Sequence, residues 1–225
     1  TRGIPGRDKA IGGGFMDGSV NLVAGNAGSG KTTFAMQFLI NGLKNGESGI
    51  FISFEETKKK LFDDFIEYGW NLDEYERSGQ LMILEYTPEQ VRRHVVEGGG
   101  TIDVLVAQMK AKRIVIDSIT SFTMLFKNDL GKRESALALF DLFRRWGCTA
   151  VLTSNATKVD ADEIEAELDF EADSINVLHH FKRKGIRERA LEVLKMRGTK
   201  TPEKTMKMEI GDHGMIVDPN KVVSI

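Results

Sequence analysis

A chain of 225 residues, 41% of them hydrophobic, can bury one α/β core under covering helices but hardly two, so residues 1–225 read as a single domain. With 31 Lys and Arg against 33 Asp and Glu, a net charge of -2, no global field draws in nucleic acid or anionic lipid; such a partner must be met by a local patch. Cys148 is the single cysteine, which excludes an internal disulfide and a paired-cysteine zinc site, and no signal-peptide core or bilayer-spanning apolar run is found, so a soluble cytoplasmic protein with no membrane contact is expected.

Short β-rich runs alternate with longer helical patterns, the sign of βαβ units and a mostly parallel, twisted sheet flanked by helices. The first buried run, Val20 to Ala24, leads into Gly25-Asn26-Ala27-Gly28-Ser29-Gly30-Lys31-Thr32, and a helical pattern continues from Thr32 to Lys44. That octet matches the phosphate loop G-x-x-x-x-G-K-[ST], flanked by the strand and helix the motif requires. Its glycines let backbone N–H groups wrap inward around phosphate oxygens, and the helix adds its positive N-terminal end. Lys31 then supplies a charge to the β and γ phosphates of ATP or ADP, and the Thr32 hydroxyl ligates Mg²⁺. Thr33 is counted with the nucleotide-binding residues.

A second strand, Gly49 to Phe54, ends in Glu55 and Glu56, at the carboxyl edge where ligands of open α/β sheets collect. An acid there can orient or deprotonate water beside a γ-phosphate. Adjacent residues of an extended chain point to opposite sides, so one of the two faces the phosphate. Either also suits the N-terminus of the helix expected from Thr57 to Tyr68. Leu81 to Glu85 reads as a third strand, Ile102 to Lys110 as a helix and Arg113 to Asp117 as a fourth strand. Asp117 closes an apolar run and is the carboxylate expected to hold the metal with Thr32; the alternative is that it caps the following turn.

The helix expected from Lys132 to Trp146 sets Leu137, Leu139, Phe140 and Phe143 in an apolar stripe with the charges outward. Thr149 to Ser154 is a fifth strand. The stretch from Ser154 to Ser174 has one lysine among many carboxylates and is either a loop or a solvated acidic helix. Beyond it, SINVLHHF, RERALEVLKM, TMKMEIG and GMIVD read as successive antiparallel strands, an extension turning at Lys184-Gly185 and Asp212-His213-Gly214. Of the adjacent His179 and His180, one is expected buried and the other exposed, with no further metal ligand near them.

Taken together, Gly3-Ile4-Pro5-Gly6, Ile11-Gly12-Gly13-Gly14-Phe15 and Gly18 through the phosphate loop resemble the RecA/RadA superfamily, and KaiC-like ATPases in particular. Phe54-Glu55-Glu56-Thr57, Tyr68-Gly69-Trp70, Ile116-Asp117-Ser118, Leu194 to Thr199 and Asp212-His213-Gly214 extend the likeness over nearly the whole chain. The resemblance implies a RecA-type P-loop NTPase core assembled as a homo-oligomeric ring, usually a hexamer, with ATP between subunits. It implies hydrolysis by Glu55 and Glu56. It further implies that Lys195, Met196, Arg197 and Thr199 reach the neighbouring subunit's nucleotide, with Asp212 approaching in the same way. An added cation stabilises charge on a transferring phosphoryl group. Read without the family, Lys195 and Arg197 are alternate strand residues on one solvated face.

Leu168 to Ser174 resembles the hydrolytic half of KaiC and lacks the adjacent Ser/Thr pair of the autophosphorylating half, so ATPase and not autokinase activity is expected. Lys200-Thr201 stands where the family often has a histidine. The expected function is a ring-forming ATPase whose nucleotide state controls binding to regulatory protein partners. Two other readings are a recombinase-like DNA-binding ATPase and a nucleotide-dependent scaffold with negligible turnover. Lys127 to Arg133 is modestly basic, but Asp160 to Asp173 is strongly acidic, which opposes a phosphate backbone and disfavours nucleic acid there. The presence of both Glu55 and Glu56 argues against the scaffold.

Overall fold

Alternation along each apolar run divides its side chains between the two faces of a sheet, and runs that are apolar on both faces must be covered on both. A computed structural model describes residues 3–97, 100–155 and 171–225. In it Val23, Phe51, Val115 and Val151 enter one core cluster, while Leu22, Ile50, Ile114, Ile116 and Leu152, offset by one residue, enter a second. These residues lie on β1 (Val20–Gly25), β2 (Gly49–Ser53), β4 (Arg113–Asp117) and β5 (Thr149–Asn155). With β3 (Leu81–Glu85), β6 (Ser174–Arg183), β7 (Ile186–Met196), β8 (Met206–Gly211) and β9 (Gly214–Val222) they form a nine-stranded sheet, ordered β3-β2-β4-β5-β1-β6-β7-β8-β9.

The first core is covered by α2 (Lys31–Lys44) through Phe34, Phe38 and Leu39. The second is covered by α8 (Asp129–Trp146) through Leu139, Phe140 and Phe143, and by α6 (Thr101–Met109) through Ile102 and Val106. Leu137, expected in the α8 stripe, is only half-buried; Ala136 and Leu142 are buried instead. The helix α3 (Lys58–Ile66) is capped by Thr57, whose hydroxyl accepts from Lys60 N. It carries Phe65, which stacks on Trp70 at 5.6 Å between ring centres. Trp70 in turn covers Gly214, where φ is 103° and a Cβ would stand 2.5 Å from the indole, so only glycine fits.

Four helices go beyond the sequence expectations. Three of them, α1 (Arg7–Ala10), α4 (Leu72–Arg77) and α7 (Ile119–Thr123), are six residues or shorter, too brief to display a period. The fourth, α5 (Pro88–Glu97), had a legible start: Gln90 N donates to Thr87 Oγ1 and Thr87 N to Gln90 Oε1, a capping box with proline at the first helical position. The strands from β6 to β9 are successively antiparallel as expected, and β6 has a second pairing besides. β6 is antiparallel to β7 but parallel to β1, with Asn21 to Gly25 beside Ser174 to Leu178. It therefore closes the parallel sheet, and the antiparallel extension grows from its far side. The interior of the acidic stretch, residues 156–170, Leu168, Asp169 and Phe170 among them, lies outside the described residues. Among the described residues no helix is long and apolar enough to cross a membrane.

Candidate functional site

The chain passes from β1 to α2 through a loop that left-handed backbone and two close approaches restrict to glycine. Gly28 and Gly30 have φ of 72° and 100°, and a Cβ on Gly30 would lie 2.6 Å from Ile210 Cδ1. On Gly25 it would lie 2.5 Å from the Leu178 carbonyl. Left-handed backbone and close approach both select glycine. The loop is fastened from outside. Asn26 Nδ2 donates to His180 O at 2.8 Å and Asn26 Oδ1 accepts from His180 N at 3.2 Å. Arg189 Nε donates to Gly28 O at 3.1 Å.

Two groups within the loop are poised for an anion. Ser29 Oγ is buried and has no hydrogen-bond partner among the described residues; a buried orphan hydroxyl is rare unless a ligand or water meets it. Lys31 Nζ donates to Gly25 O at 2.9 Å and Asn26 O at 3.1 Å. Burial lowers the Lys31 pKa, with the charges of Asp117 and Glu55 acting the other way. Glycine cradle, buried hydroxyl and lysine together fit a polyphosphate.

Opposite stand the acids. Thr32 Oγ1 donates to Asp117 Oδ2 at 2.7 Å, and Thr153 Oγ1 donates to Asp117 Oδ1. Burial pushes the Asp117 pKa up, while the Thr153 and Thr32 hydrogen bonds pull it down; Glu55 raises it further and Lys31 opposes. Glu55 Oε1 accepts from Ser118 Oγ at 2.9 Å and from Ser121 Oγ at 3.0 Å. Thus the glutamate that follows β2 is oriented by the hydroxyls that follow β4. Glu56 has a different partner: its Oε1 accepts from Lys60 Nζ at 2.6 Å, and it lines a neighbouring cleft with Thr32, Thr33, Asp63, Asp64 and Glu67. Among the described residues no cluster of three or more His, Cys, Asp and Glu side chains is placed to hold a metal, so a cation here would rest on few protein oxygens.

Gly28, Gly30, Lys31, Thr32, Thr33, Glu55 and Asp117 share one pocket of about 440 Å³ with Tyr68, Asn155, Arg189 and Ile210. Lys195, Met196, Arg197, Thr199 and Asp212 do not line it. Lys195 and Met196 end β7, Arg197 N donates to Asp173 O at 2.8 Å, and its guanidinium lies 3.5 Å from Asp173 Oδ1. Thr199 N bonds Met196 O in the turn after β7, and Asp212 sits in the turn from β8 to β9.

Sequence reasoning missed Arg189, Tyr68, Asn155, Ile210 and Thr153. Thr153 and Asn155 had a signal, since they lie at the carboxyl end of a strand beside the phosphate loop. Arg189 reaches the site because β7 pairs it with His180, a register that no local pattern encodes. His179 is buried and His180 half-buried, and His179 Nε2 meets Glu192 Oε2 at 3.2 Å. Burial lowers the His179 pKa, against Glu192. Trp70 and Cys148 pack in the core, and Trp146 donates its indole N–H to Asp103.

A phosphate loop, a hydroxyl–carboxylate pair beneath it and a strand-end glutamate, gathered at the carboxyl edge of a parallel sheet, define a nucleotide-binding P-loop domain of the RecA type. More narrowly, the family model described as "ATPase: KaiC" matches residues 1–222, and the chain belongs to that family. The circadian clock protein KaiC3 of Synechocystis sp. is 32% identical over 88% of this chain, which spans only 41% of that protein. A UPF0273 protein of Aeropyrum pernix is 32% identical, with 99% of this chain and 94% of the relative covered. The crystal structure of a KaiC-like protein from Pyrococcus horikoshii superposes with a TM-score of 0.82 at 34% identity, covering 96% of each chain.

Proposed function

We propose that this chain hydrolyses Mg·ATP as one subunit of a homo-oligomeric ring, hexameric by family resemblance, in which each site is completed by a neighbour. Its nucleotide state would then govern binding to protein partners in the cytoplasm. The observation that carries the reading is the meeting of Lys31, Thr32, Asp117 and Glu55 in one pocket that Lys195, Met196, Arg197, Thr199 and Asp212 of the same chain do not line. Cations contributed from a second copy fit that separation.

Thr32 Oγ1 and Asp117 are the oxygens that would hold Mg²⁺, which supplies charge neutralisation at the β and γ phosphates. Lys31 exchanges its two carbonyl partners for phosphate oxygens, and Ser29 Oγ gains the acceptor or donor it lacks. Ser118 and Ser121 both donate to Oε1 of Glu55, which leaves Oε2, among the described residues, as the oxygen that orients water and takes its proton. Arg197 of the neighbour then stabilises charge on the γ-phosphoryl group, and ADP departs. The missing Ser/Thr pair near Ser174 favours hydrolysis over self-phosphorylation.

Mixing Lys31→Ala protein with Arg197→Ala protein tests the shared site. Each alone is expected to be inactive. Random assortment in a ring restores roughly a quarter of the interfaces, and phosphate release should recover to about that fraction of the parent rate. A mixture no faster than either variant alone overturns the reading.

A further inference from the structure

The parallel pairing of β6 with β1 stops at Leu178, and β8 pairs with β7 only at Arg189, Ala190 and Leu191. The outer parts of β6 and β7 thus project from the sheet as a two-stranded ribbon, paired through Arg183 and Ile186. Its end reads Lys182-Arg183-Lys184-Gly185-Ile186-Arg187, every residue exposed. Three features of this tip work against local stability. Lys182 stands directly opposite Arg187, and like charges at such a cross-strand pair are destabilising. Lys184 holds φ at 47° in a two-residue turn that favours Asn or Gly. Ile186 is 67% exposed. None of the four cations forms an ion pair among the described residues. On a chain of net charge -2, a tip of unbalanced cations set against its own folding preferences marks a site selected for something other than the fold.

We propose that this ribbon is a docking arm for the sugar–phosphate backbone of double-stranded nucleic acid. A two-stranded β-ribbon fits the major groove, where phosphate strands flank it on both sides. Pairing places Lys182 and Arg187 on one face and Arg183 with Ile186 on the other, and Lys184 at the tip, so cations point to both walls of such a groove. An acidic polypeptide would meet one face and leave the rest unmatched. The tip residues do not line the ATP pocket, although the root of the arm touches the phosphate loop through His180 and Arg189. Because Lys182 to Arg187 lie outside that pocket, duplex binding can hold or fail whether or not the chain turns over ATP.

Anisotropy of a labelled mixed-sequence duplex of about two helical turns, titrated with the intact protein over a range of salt, measures the contact. Four phosphate contacts predict a slope of log K against log salt of about -3.6. The combined K182Q, K184Q and R187Q variant should retain a slope of about -1 and bind roughly ten-fold or more weakly at low salt, at unchanged ATP affinity. Lys184→Asn separates structure from contact: Asn suits the turn, so the melting temperature should rise or hold while the slope loses about one. Poly-glutamate matched in charge should compete poorly. Absence of duplex binding at low salt, an unchanged slope in Lys184→Asn, or poly-glutamate competing as well as duplex overturns the proposal, the last in favour of an acidic protein partner.

Discussion

Asn26 occupies a position that the phosphate-loop motif leaves open, yet its amide joins the loop to β6 by two hydrogen bonds, at 2.8 and 3.2 Å to His180 O and N. Asn26→Ala removes both. Each is a neutral, part-buried bond with a net contribution of about 1 kcal/mol. β6 has left its pairing with β1 two residues before His180, so the strand has no other partner on that side to fall back on. The expected loss is about 2 kcal/mol, which for a chain of this length lowers the melting temperature by about 4–8 °C. Calorimetry of the nucleotide-free protein measures it directly. Asn26→Asp keeps the acceptor for His180 N and loses the donor, so it should recover about half of that stability. It should still bind nucleotide poorly, because its charge sits beside the phosphates. A nucleotide-free melting temperature in Asn26→Ala equal to that of the parent refutes the staple.

Asp117→Asn separates the requirements of folding from those of the site. Burial raises the Asp117 pKa above 3.8, so the folded state holds this proton more tightly than the unfolded chain, and the stability contributed at low pH is lost as pH rises through the folded value. The nucleotide-free variant should therefore melt above the parent by a margin that grows as pH climbs from 3.8, while Mg-dependent hydrolysis disappears; a margin that shrinks with rising pH contradicts the assignment. Glu55→Gln should lower kcat by about 10²-fold or more with nucleotide affinity retained. Glu56→Gln should stay within about ten-fold, since its partner is the exposed Lys60 and such pairs contribute little. Equal losses in single-turnover phosphate release would return the choice of base to the pair.

The parts legible in the sequence were those whose physics is local. The five parallel strands before the acidic stretch announce themselves because both faces are apolar, and α2 and α8 because their stripes last several turns. Helix α5 hides its period, with Val91 its one fully buried apolar side chain among those described, yet its capping box was there to be read. Direction of pairing was not. Nothing within SINVLHHF distinguishes a strand parallel to β1 from one antiparallel to β7, and β6 is both, because pairing is decided by which edge the chain returns to.

The same division runs through the site. Residues 25–33 form a contiguous cradle, so chemistry and spacing coincide, and Asp117 and Glu55 come from the carboxyl ends of strands, where topology alone brings them near. Arg189 and Tyr68 come from elements whose approach depends on register and on the Phe65–Trp70 stack that fixes the end of α3. β6 links these levels. Leu178 contacts Gly25, His180 holds Asn26, and two residues further Lys182 begins the cationic tip. A one-residue slip of that strand would turn Leu178 out of the core and His180 off the loop together. Core burial of Leu178 thus fixes the register that serves the phosphate loop, and the site inherits its geometry from the packing of a strand that the motif does not include.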